Sequence, residues 1–409
     1  MPASHKPHIC LSSNCGCGMS RRDFMRLSTL ATAGAALPLL FSGDAHARRN
    51  RGEDQPVRIG YLPITDAAPL LVAHDQQLFE AEGLTTERPR LFRSWAQLVE
   101  AFVAGQVNVI HLLSPATLWV RYGTRFPAKV VAWNHVNGSA LTVAHHINEV
   151  KDLGGQTVAV PFWYSIHNIL LQKLLVEEGL TPITQGRGAP AAHEVRLIVQ
   201  PPAEMVSALA SGSIAGFIVA EPFNALAEAR GVGKVLRFSG DIWKDHACCV
   251  TFLAERDIEE RPEWAQRVTH ALVKAQAWSL QQPTEMAQLL SNGGRHRYTP
   301  HDLEGITPVF SQADFQRYQQ QGVIKNRDWA QQRMSFQPFP YPSYTENLVR
   351  SLQATRLEGE SAFLQQLDPA FVAQDLVDDR FVRRAIEAVG GPEVFGIAPG
   401  FERQEVIRL

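Results

Sequence analysis

The chain has 409 residues, of which 45% are hydrophobic and 20% charged. This balance supplies a large apolar core and excludes a disordered protein, and the length allows two or three domains. The formal net charge is −2 at pH 7, so we expect no long-range attraction to nucleic acid or to an anionic membrane. If the ligand is an anion, its binding site must supply the positive charge locally.

The first 47 residues have the features of an export signal. Arg21 and Arg22 stand in the run SRRDFM, and a modestly apolar stretch follows from Leu27 to Phe41. Ala45-His46-Ala47 then offers a small-x-small cleavage site. The apolar stretch is too short to anchor stably in about 30 Å of hydrocarbon. We therefore predict a twin-arginine signal peptide whose removal releases a periplasmic protein; the alternative is an amphipathic surface helix.

The five cysteines fall into two groups. Three of them precede the twin arginines, namely Cys10, Cys15 and Cys17. These three should leave with the signal; the alternative is a metal site completed by His5 or His8, although the glycine-rich segment offers no scaffold for it. Cys248 and Cys249 are adjacent in an apolar run. We expect them to be reduced and buried, with a strained vicinal disulfide as the alternative in an oxidising compartment.

The part of the chain after the signal alternates strand and helix patterns. Apolar strands are predicted over Val57–Leu62 and Val107–Leu113. Side chains that can cap a following helix come after the strands or extended segments: Asp66 or Thr65, Ser94 and Ser114. Alternation of this kind predicts a parallel sheet in an α/β protein.

The pattern restarts beyond Glu149 as a second α/β unit. Its predicted elements are strand Thr157–Val160, helix Ser165–Glu178, strand Glu194–Val199, helix Ala203–Ser211 and strand Gly216–Ala220. The chain is predicted to leave the first unit, or lobe, near residues 142–148 and to return near residues 247–251. Two such crossings make a hinge between two lobes.

The stretch from Ile214 to His246 predicts one wall of a ligand cleft. The buried strand at its start is stopped by Glu221-Pro222, because proline lacks the N–H that a strand ladder needs. The stretch ends in Trp243-Lys244-Asp245-His246, which brings an aromatic ring, a fixed positive charge and an imidazole together. Polar groups just beyond strand ends are the usual lining of the crevice in an open α/β sheet.

Several candidate ligand contacts lie at helix starts. Asp66, Trp95 and His167 each stand at or just inside a predicted helix N-terminus. Such an end offers free N–H groups and about half a positive charge, which suits a small anion. Hydroxyls from Ser94 and Ser165 and the charge of Lys244 would add to it.

Each of these residues also has an ordinary structural interpretation. Trp95 near a helix start is typical of a packing residue, and His167 of a capped or solvent-facing histidine. Lys244 in a loop is commonly solvated, and Glu221 before proline can simply accept hydrogen bonds from the next helix.

The runs AEPFN and DIWKDH, together with GYLPITDAAPL and SIHNILL upstream, resemble the periplasmic nitrate and bicarbonate binding proteins of ABC importers, relatives of the sulfonate and taurine receptors. The resemblance covers about Val57 to residue 330, in family order. It implies an α/β two-lobed periplasmic binding protein type II fold, which we expect to carry a C-terminal helical extension.

The resemblance also implies a set of ligand-binding residues. Trp95, His167 and Lys244 match positions that line the anion site in such receptors, with Glu221 nearby in the same motif. Bicarbonate receptors of this kind can use calcium, for which Glu221 is the candidate ligand; no other cofactor is expected. The complete set of predicted ligand contacts is Asp66, Ser94, Trp95, Ser139, His167, Glu221 and Lys244.

Two departures from the family pattern bear on the ligand. Ser139 stands where nitrate and bicarbonate receptors carry an amide side chain, and a serine leaves a larger or wetter pocket. Aromatic residues Phe162, Trp163 and Tyr164 replace smaller ones before His167. These changes favour a slightly larger anion, such as a sulfonate or a carboxylate with an apolar part, over nitrate itself.

The predicted function is therefore an exported receptor that captures a small anion between two lobes and delivers it to an ABC permease, and we expect a monomer. The alternatives are a cofactor-independent enzyme that uses Cys248 and Cys249, or a cytoplasmic anion sensor of the same fold. No nucleophile, base and carboxylate with a recognisable spacing supports catalysis. The predicted organisation is a signal over residues 1–47, a lead-in over 48–56, a first lobe over 57–145 and 248–330, a second lobe over 146–247, and the extension over 331–409.

Overall fold

The protein is described here by a computed structural model that covers residues 55–326, 329 and 332–409. The signal-peptide prediction, with Arg21, Arg22 and the first three cysteines, lies outside these residues. Within them the chain builds two main β-sheets and covers both with helices. The α/β class predicted from the alternating patterns is confirmed.

The first sheet has five strands in the order β2-β1-β3-β12-β4. Its strands are β1 Ile59–Tyr61, β2 Arg90–Leu91, β3 Val109–Leu113, β4 Ala128–Trp133 and β12 Cys249–Ala254. The helices between its first four strands are α1 Ala68–Asp75, α2 Leu78–Ala81, α3 Trp95–Val103 and α4 Ser114–Leu118. β1 is parallel to β2 and β3, whereas β12 is antiparallel to β3 and β4. The late strand β12 therefore completes a sheet begun nearly two hundred residues earlier.

The second sheet has six strands in the order β11-β6-β10-β7-β9-β8. Its strands are β6 Ser139–Val143, β7 Thr157–Val160, β8 Thr181–Ile183, β9 Glu194–Val199, β10 Gly216–Ala220 and β11 Lys234–Phe238. The associated helices are α5 Ile166–Glu177, α6 Pro202–Ala210, α7 Phe223–Ala229 and α8 Ser239–Ile242. β10 is fully buried along its length and lies parallel to β7 and antiparallel to β6. Glu221, the residue after β10, contacts the turn that follows β1, because the Thr65 amide donates to the Glu221 carbonyl at 3.0 Å.

The chain passes between the two sheets twice. It leaves the first sheet after β4, forms the short strand β5 (Val136–Asn137), and enters the second sheet at β6. This is earlier than the predicted crossing near residues 142–148, because Ser139–Val143 pairs with β10 and β11. The return leads into β12, close to the predicted position. His135 and Cys248 consequently lie on the two crossing segments.

The helix starts show which capping predictions the backbone follows. Ser94 accepts a hydrogen bond from Gln97 N (3.3 Å) and Ser165 one from Asn168 N (3.1 Å), so both cap their helices as predicted. Thr65 and Asp66 instead lie in a 3₁₀ turn before α1, which has no side-chain cap. Ser114 is already inside α4, so its hydroxyl is not a cap. Because neither Asp66 nor Ser114 caps a helix, both side chains are available for other contacts.

The C-terminal part of the chain is helical and covers the first sheet. Its elements are α9 Glu255–Glu260, α10 Pro262–Gln281, α11 Pro283–Leu290, α12 Leu303–Phe310, α13 Gln312–Gln320, β13 Met334–Ser335, α14 Pro342–Gln353, α15 Pro369–Asp375 and α16 Arg380–Ala388. α10 packs against α1 and α16. The predicted helical extension is thus confirmed, and it begins with β13, which pairs with β5 in the first crossing. Among the described residues, no helix has both the length and the apolar character needed to cross a bilayer.

One ion-pair network fastens the extension to the first sheet. Arg121 donates to both carboxylate oxygens of Asp375, at 2.6 and 2.8 Å, and also to Glu255 at 3.2 Å. Tyr122 donates to the same carboxylate at 2.8 Å. The hydrogen bonds from Arg121 hold the pKa of Asp375 below its usual value. The ionised form of Asp375 therefore favours the folded state.

We expect Asp375→Asn to lower the free energy of unfolding by about 1–2 kcal/mol at pH 7, a value discounted because the carboxylate is partly exposed. Since the pKa of Asp375 is depressed, its stabilisation is present above the unfolded pKa, near 4, and is lost as the pH falls through the folded pKa. Urea unfolding at pH 7 and pH 3 should show the difference from the natural chain narrowing in acid. Glu346→Gln, which removes the exposed Arg350 pair, should change stability by less than about 0.5 kcal/mol. A deficit that is as large at pH 3 as at pH 7 would contradict the assignment.

Candidate functional site

Four chemically reactive side chains meet where the two crossings lie side by side. The ligand-type atoms of Asp66, His135, Cys248 and Cys249 all lie within 4.8 Å of one another. All four residues are fully buried, and both thiols are free. We refer to these four residues as the crossing cluster.

The backbone around each member explains why the cluster forms. Asp66 follows β1 in a turn that is tied to the second sheet, because the Thr65 amide and hydroxyl both donate to the Glu221 carbonyl at 3.0 Å. His135 lies in the first crossing, where Gly138 has φ +81° and leaves room for the imidazole; a Cβ there would stand 3.2 Å from that ring. Cys248 and Cys249 enter β12 from the second crossing. Elements of both sheets thus fix the cluster.

The polar atoms of the cluster converge without satisfying one another. His135 Nε2 lies 2.9 Å from Asp66 Oδ2. Neither carboxylate oxygen of Asp66 and neither ring nitrogen of His135 nevertheless makes a hydrogen bond of acceptable geometry with a described residue. Buried polar atoms in this condition are uncommon in folded proteins and point to a ligand or a functional role.

The second sheet contributes His167 and Ser139 to the same place. His167 lies in the first turn of α5, and its Nε2 is 2.9 Å from Ser139 Oγ and 3.8 Å from Cys248 Sγ. Ser139 is the first residue of β6, and its hydroxyl lies 3.9 Å from the same sulfur. The Cys248 thiol is therefore contacted from the first turn of a helix and from a strand end of the second sheet.

Two further histidines and a tryptophan are buried in this region, His111 and Trp95 in the first lobe and His246 in the second crossing. His111, on β3, accepts a hydrogen bond at Nε2 from the Leu62 amide (2.9 Å), which places its ring proton on Nδ1. The Trp95 ring lies 5.2 Å from the His111 ring. Trp95 Nε1, His111 Nδ1 and both ring nitrogens of His246 are buried without a hydrogen-bond partner among the described residues.

Burial and mutual charge set the protonation of the site. Burial raises the pKa of Asp66 to about 6. Burial would lower the pKa of His135, but the Asp66 carboxylate outweighs this effect and raises it to about 10. Between these values the pair holds one proton, on the imidazole. Burial lowers the pKa of His111 and of His246 to about 3, so both are neutral.

The two thiols are shifted in opposite directions. Burial alone would raise the pKa of Cys248, but the hydrogen bond from Cys249 and the neighbouring His167 and His135 bring it well below its usual value. Burial and donation to Cys248 raise the pKa of Cys249. Cys248 therefore has thiolate character and Cys249 remains a thiol.

The structure brings together some of the residues predicted from the sequence and not others. Asp66 belongs to the crossing cluster, and Ser139 and His167 touch it. Trp95 is buried against the His111 ring. The position of Asp66 after a strand end and of His167 at a helix start was visible in the sequence pattern.

Ser94, Glu221 and Lys244 have other surroundings. The Ser94 hydroxyl caps α3. Glu221 accepts hydrogen bonds from Arg333 Nη1 (2.8 Å) and the Ala225 amide (3.1 Å). The Lys244 amide donates to the Val406 carbonyl (3.0 Å), and the preceding Trp243 indole donates to Glu405, so this stretch lies against the end of the chain.

Sequence reasoning missed His135 and His111 as members of the site. Both stand inside or beside strands, where a single histidine carries no spacing signal. The doublet of Cys248 and Cys249 was the available clue, and its partners become apparent only when β12 is placed between β3 and β4.

The C-terminal extension closes over the site. Arg333 is fully buried and pairs with Glu221 and, at 3.2 Å, with Glu228, and it also contacts the Tyr318 hydroxyl. The Tyr344 hydroxyl, on α14, donates to the Ala247 carbonyl at 2.5 Å and lies 2.8 Å from Ser114 Oγ. Residues beyond 330 therefore reinforce the crossing from outside the α/β lobes.

Two α/β sheets joined by two crossings, with a buried polar site at the junction, define the fold of periplasmic binding proteins. Residues 50–291 match the NMT1-like family, and because this match covers more than half of the chain, the chain belongs to that family. The solved structure of the periplasmic nitrate-binding protein NrtA from Synechocystis PCC 6803 superposes with a TM-score of 0.67 at 20% identity, covering 84% of this chain and 91% of that chain. At this level of identity the likeness establishes the fold alone.

Two curated relatives have the same kind of name. The nitrate/nitrite binding protein NrtA of Synechococcus elongatus is 26% identical over 380 residues, which are 80% of this chain and 81% of that protein. The nitrate/nitrite binding protein NrtA of Nostoc sp. is 25% identical over 263 residues, which are 59% of this chain and 58% of that protein. The match to the Nostoc protein thus spans little more than half of its length. These relatives are binding proteins by name, and the fold and family predicted from the sequence are confirmed.

The ion pair between Glu221 and Arg333 allows a direct test of whether the C-terminal extension is held against the second sheet by this contact. Arg333→Met should lower the free energy of unfolding by about 3–5 kcal/mol, because it leaves the Glu221 charge buried without its partner. Glu221→Gln should lower the free energy of unfolding by a smaller amount, since an amide oxygen can still accept a hydrogen bond from Arg333 and Glu228 still pairs with that guanidinium. The double variant should recover part of the loss in urea unfolding at pH 7. Losses below about 1 kcal/mol in both single variants, or strict additivity, would show that the pair does not hold the extension in place.

Proposed function

We propose that this chain is the exported solute-binding receptor of an ABC importer and that its ligand binds at the crossing cluster. The observation that carries the proposal is the group of buried, unpartnered polar atoms on Asp66 and His135, gathered where both sheets meet. Pockets with a few convergent polar groups at a lobe junction are the usual ligand sites of such folds. Rotation of one sheet against the other about the two crossings would open and close the site.

A small anion is the first class of ligand to consider, because the relatives are named for nitrate and nitrite. The N–H groups of Trp95 and His111 and the protonated imidazole of His135 are donors that an oxyanion can use. The Ser139 hydroxyl and the first turn of α5 add donors from the second sheet. Nitrate, bicarbonate and sulfonates are all candidates, and calcium at Glu221 is included for bicarbonate.

The receptor role carries further proposals about partners and location. We propose export by the twin-arginine route through Arg21 and Arg22, a monomeric receptor in the periplasm, and docking of the closed form on an ABC permease. The alternative is an enzyme: the Cys248 sulfur with thiolate character lies 3.8 Å from His167 Nε2, a pairing that nucleophilic enzymes use. The full burial of both residues favours ligand binding over turnover.

A thermal-shift screen of the purified full chain tests the anion proposal. The ligands would be nitrate, nitrite, bicarbonate with and without calcium, alkyl and aryl sulfonates, and small carboxylates. A ligand at about 100 times its dissociation constant adds roughly 2.7 kcal/mol of stability, which raises the melting temperature by about a few degrees. His167→Ala should abolish the shift, because it removes the ring that lines the cluster from the second sheet.

The matched control is His146→Ala, an exposed histidine in the same sheet region, which should leave the shift intact. Lys244→Ala tests whether Lys244 contacts the ligand, as predicted from the sequence. If Lys244 instead lies against the end of the chain, as in the structure, the shift in melting temperature should persist. A screen in which no anion shifts the melting temperature would reject the anion as ligand.

A further inference from the structure

The chemistry of the crossing cluster is not that of an anion site alone. It places a carboxylate and two thiols within 4.8 Å of each other. No hydrogen bond or ion pair from a described lysine or arginine reaches these side chains; the ionic contact of Asp66 is with His135. Two sulfurs, an imidazole nitrogen and a carboxylate oxygen in one place are electron-pair donors, which suit a positive ion better than a negative ligand.

We propose that Asp66, His135, Cys248 and Cys249 bind one divalent cation of the zinc class. The binding site follows from these four residues themselves, whereas the role of the ion as the solute of a receptor rests on the proposed function. One carboxylate oxygen, one imidazole nitrogen and two sulfurs are a donor set that borderline-soft ions such as Zn²⁺ and Co²⁺ prefer, in tetrahedral geometry. Hard ions such as Ca²⁺ and Mg²⁺ require oxygen donors instead.

The distances suit a shared ion better than mutual hydrogen bonds. Metal–sulfur bonds of about 2.3 Å and metal–nitrogen bonds of about 2.0 Å place neighbouring donor atoms roughly 3–4 Å apart. Asp66 Oδ2 and His135 Nε2, 2.9 Å apart, are close to that spacing and do not have hydrogen-bond geometry. An ion between them would satisfy a carboxylate and a ring nitrogen that are otherwise buried without partners.

The backbone explains how two consecutive cysteines reach one point. Successive side chains of a strand point to opposite faces, so two cysteines within a strand could not share an ion. Cys249 is the first residue of β12, and Cys248 precedes it in the second crossing. Both sulfurs therefore turn toward Asp66 and His135, as their mutual distances show.

The surroundings supply the supporting contacts that metal ligands need. Ser139 and His167 approach the Cys248 sulfur at 3.9 and 3.8 Å, where N–H or O–H groups stabilise a coordinated thiolate. The loop of Asp66 is held by Asn134, whose amide donates to the Asp66 carbonyl (3.2 Å) and accepts from Thr251 Oγ (2.5 Å). Ligands held in this way need little rearrangement on binding.

The test uses the full chain, purified metal-free and kept reduced with a phosphine, with Zn²⁺ and Co²⁺ as probes and no added anion. We expect one zinc per chain by native mass spectrometry, and with Co²⁺ the intense visible absorption and thiolate charge-transfer bands of a tetrahedral sulfur-ligated ion. Cys248→Ser and Cys249→Ser should each weaken zinc binding by a factor of roughly 100 or more, since even supporting residues contribute 10- to 100-fold. Ca²⁺ and Mg²⁺ should not compete.

A triple variant, Cys10→Ser with Cys15→Ser and Cys17→Ser, is the matched control, because it removes the other three thiols of the chain. It should bind one zinc with unchanged affinity. Zinc binding that is lost in this variant and kept in Cys248→Ser would overturn the proposal, as would a cobalt spectrum without thiolate bands. The cobalt spectrum of the triple variant, whose remaining thiols are Cys248 and Cys249, decides the ligand type even if Cys248→Ser or Cys249→Ser fails to fold.

The anion screen and the metal titration test separate proposals, so either proposal can be rejected while the other stands. Anion-induced stabilisation without zinc binding would leave the receptor function standing and reject the metal site. Zinc binding without any anion effect would support the metal site and identify the ligand of this receptor as a cation.

Discussion

The contact between Asp66 and His135 is the constraint on which the rest of the structure depends. Both side chains are fully buried, 2.9 Å apart, and neither forms a well-oriented hydrogen bond. Taking such charges out of water costs several kcal/mol per ion, and their attraction offsets this only in part. The fold tolerates the pair because the two sheets, which share one large cluster of buried apolar residues, hold the two crossings side by side. The unmet bonding capacity is then available to a ligand.

The C-terminal extension shows how this arrangement is kept closed. Arg333 joins Glu221 of the second sheet, and Tyr344 joins the second crossing to the first turn of α4. The pairing of β13 with β5 adds backbone hydrogen bonds at the first crossing. The family match ends at residue 291, so these contacts come from a part of the chain outside it. They make the junction between the two sheets more enclosed than the sheets alone would.

The sequence allowed much of the fold to be predicted because strand and helix patterns are local. β9 and β10 have the predicted bounds, and Ser94 and Ser165 cap their helices as their positions before apolar helices indicate. The first crossing lies earlier than predicted because the pairing partners of β6 are distant in sequence. The site was only partly predictable for the same reason. Asp66 and His167 stand at positions that local sequence patterns indicate. His135 meets its partners in the site only through β12, which lies more than a hundred residues later in the chain. The surroundings of Lys244 are set by residues at the end of the chain.

The position of β12 between β3 and β4 has a consequence for how the protein acquires its structure. The first sheet cannot close until residues 249–254 have been synthesised, after every strand of the second sheet. Contacts of such long sequence separation form slowly, since the intervening chain must be ordered first. The second lobe can therefore fold as a unit ahead of the first, and the crossing cluster is assembled at the last step. A correctly formed site would thus report that the whole chain has folded.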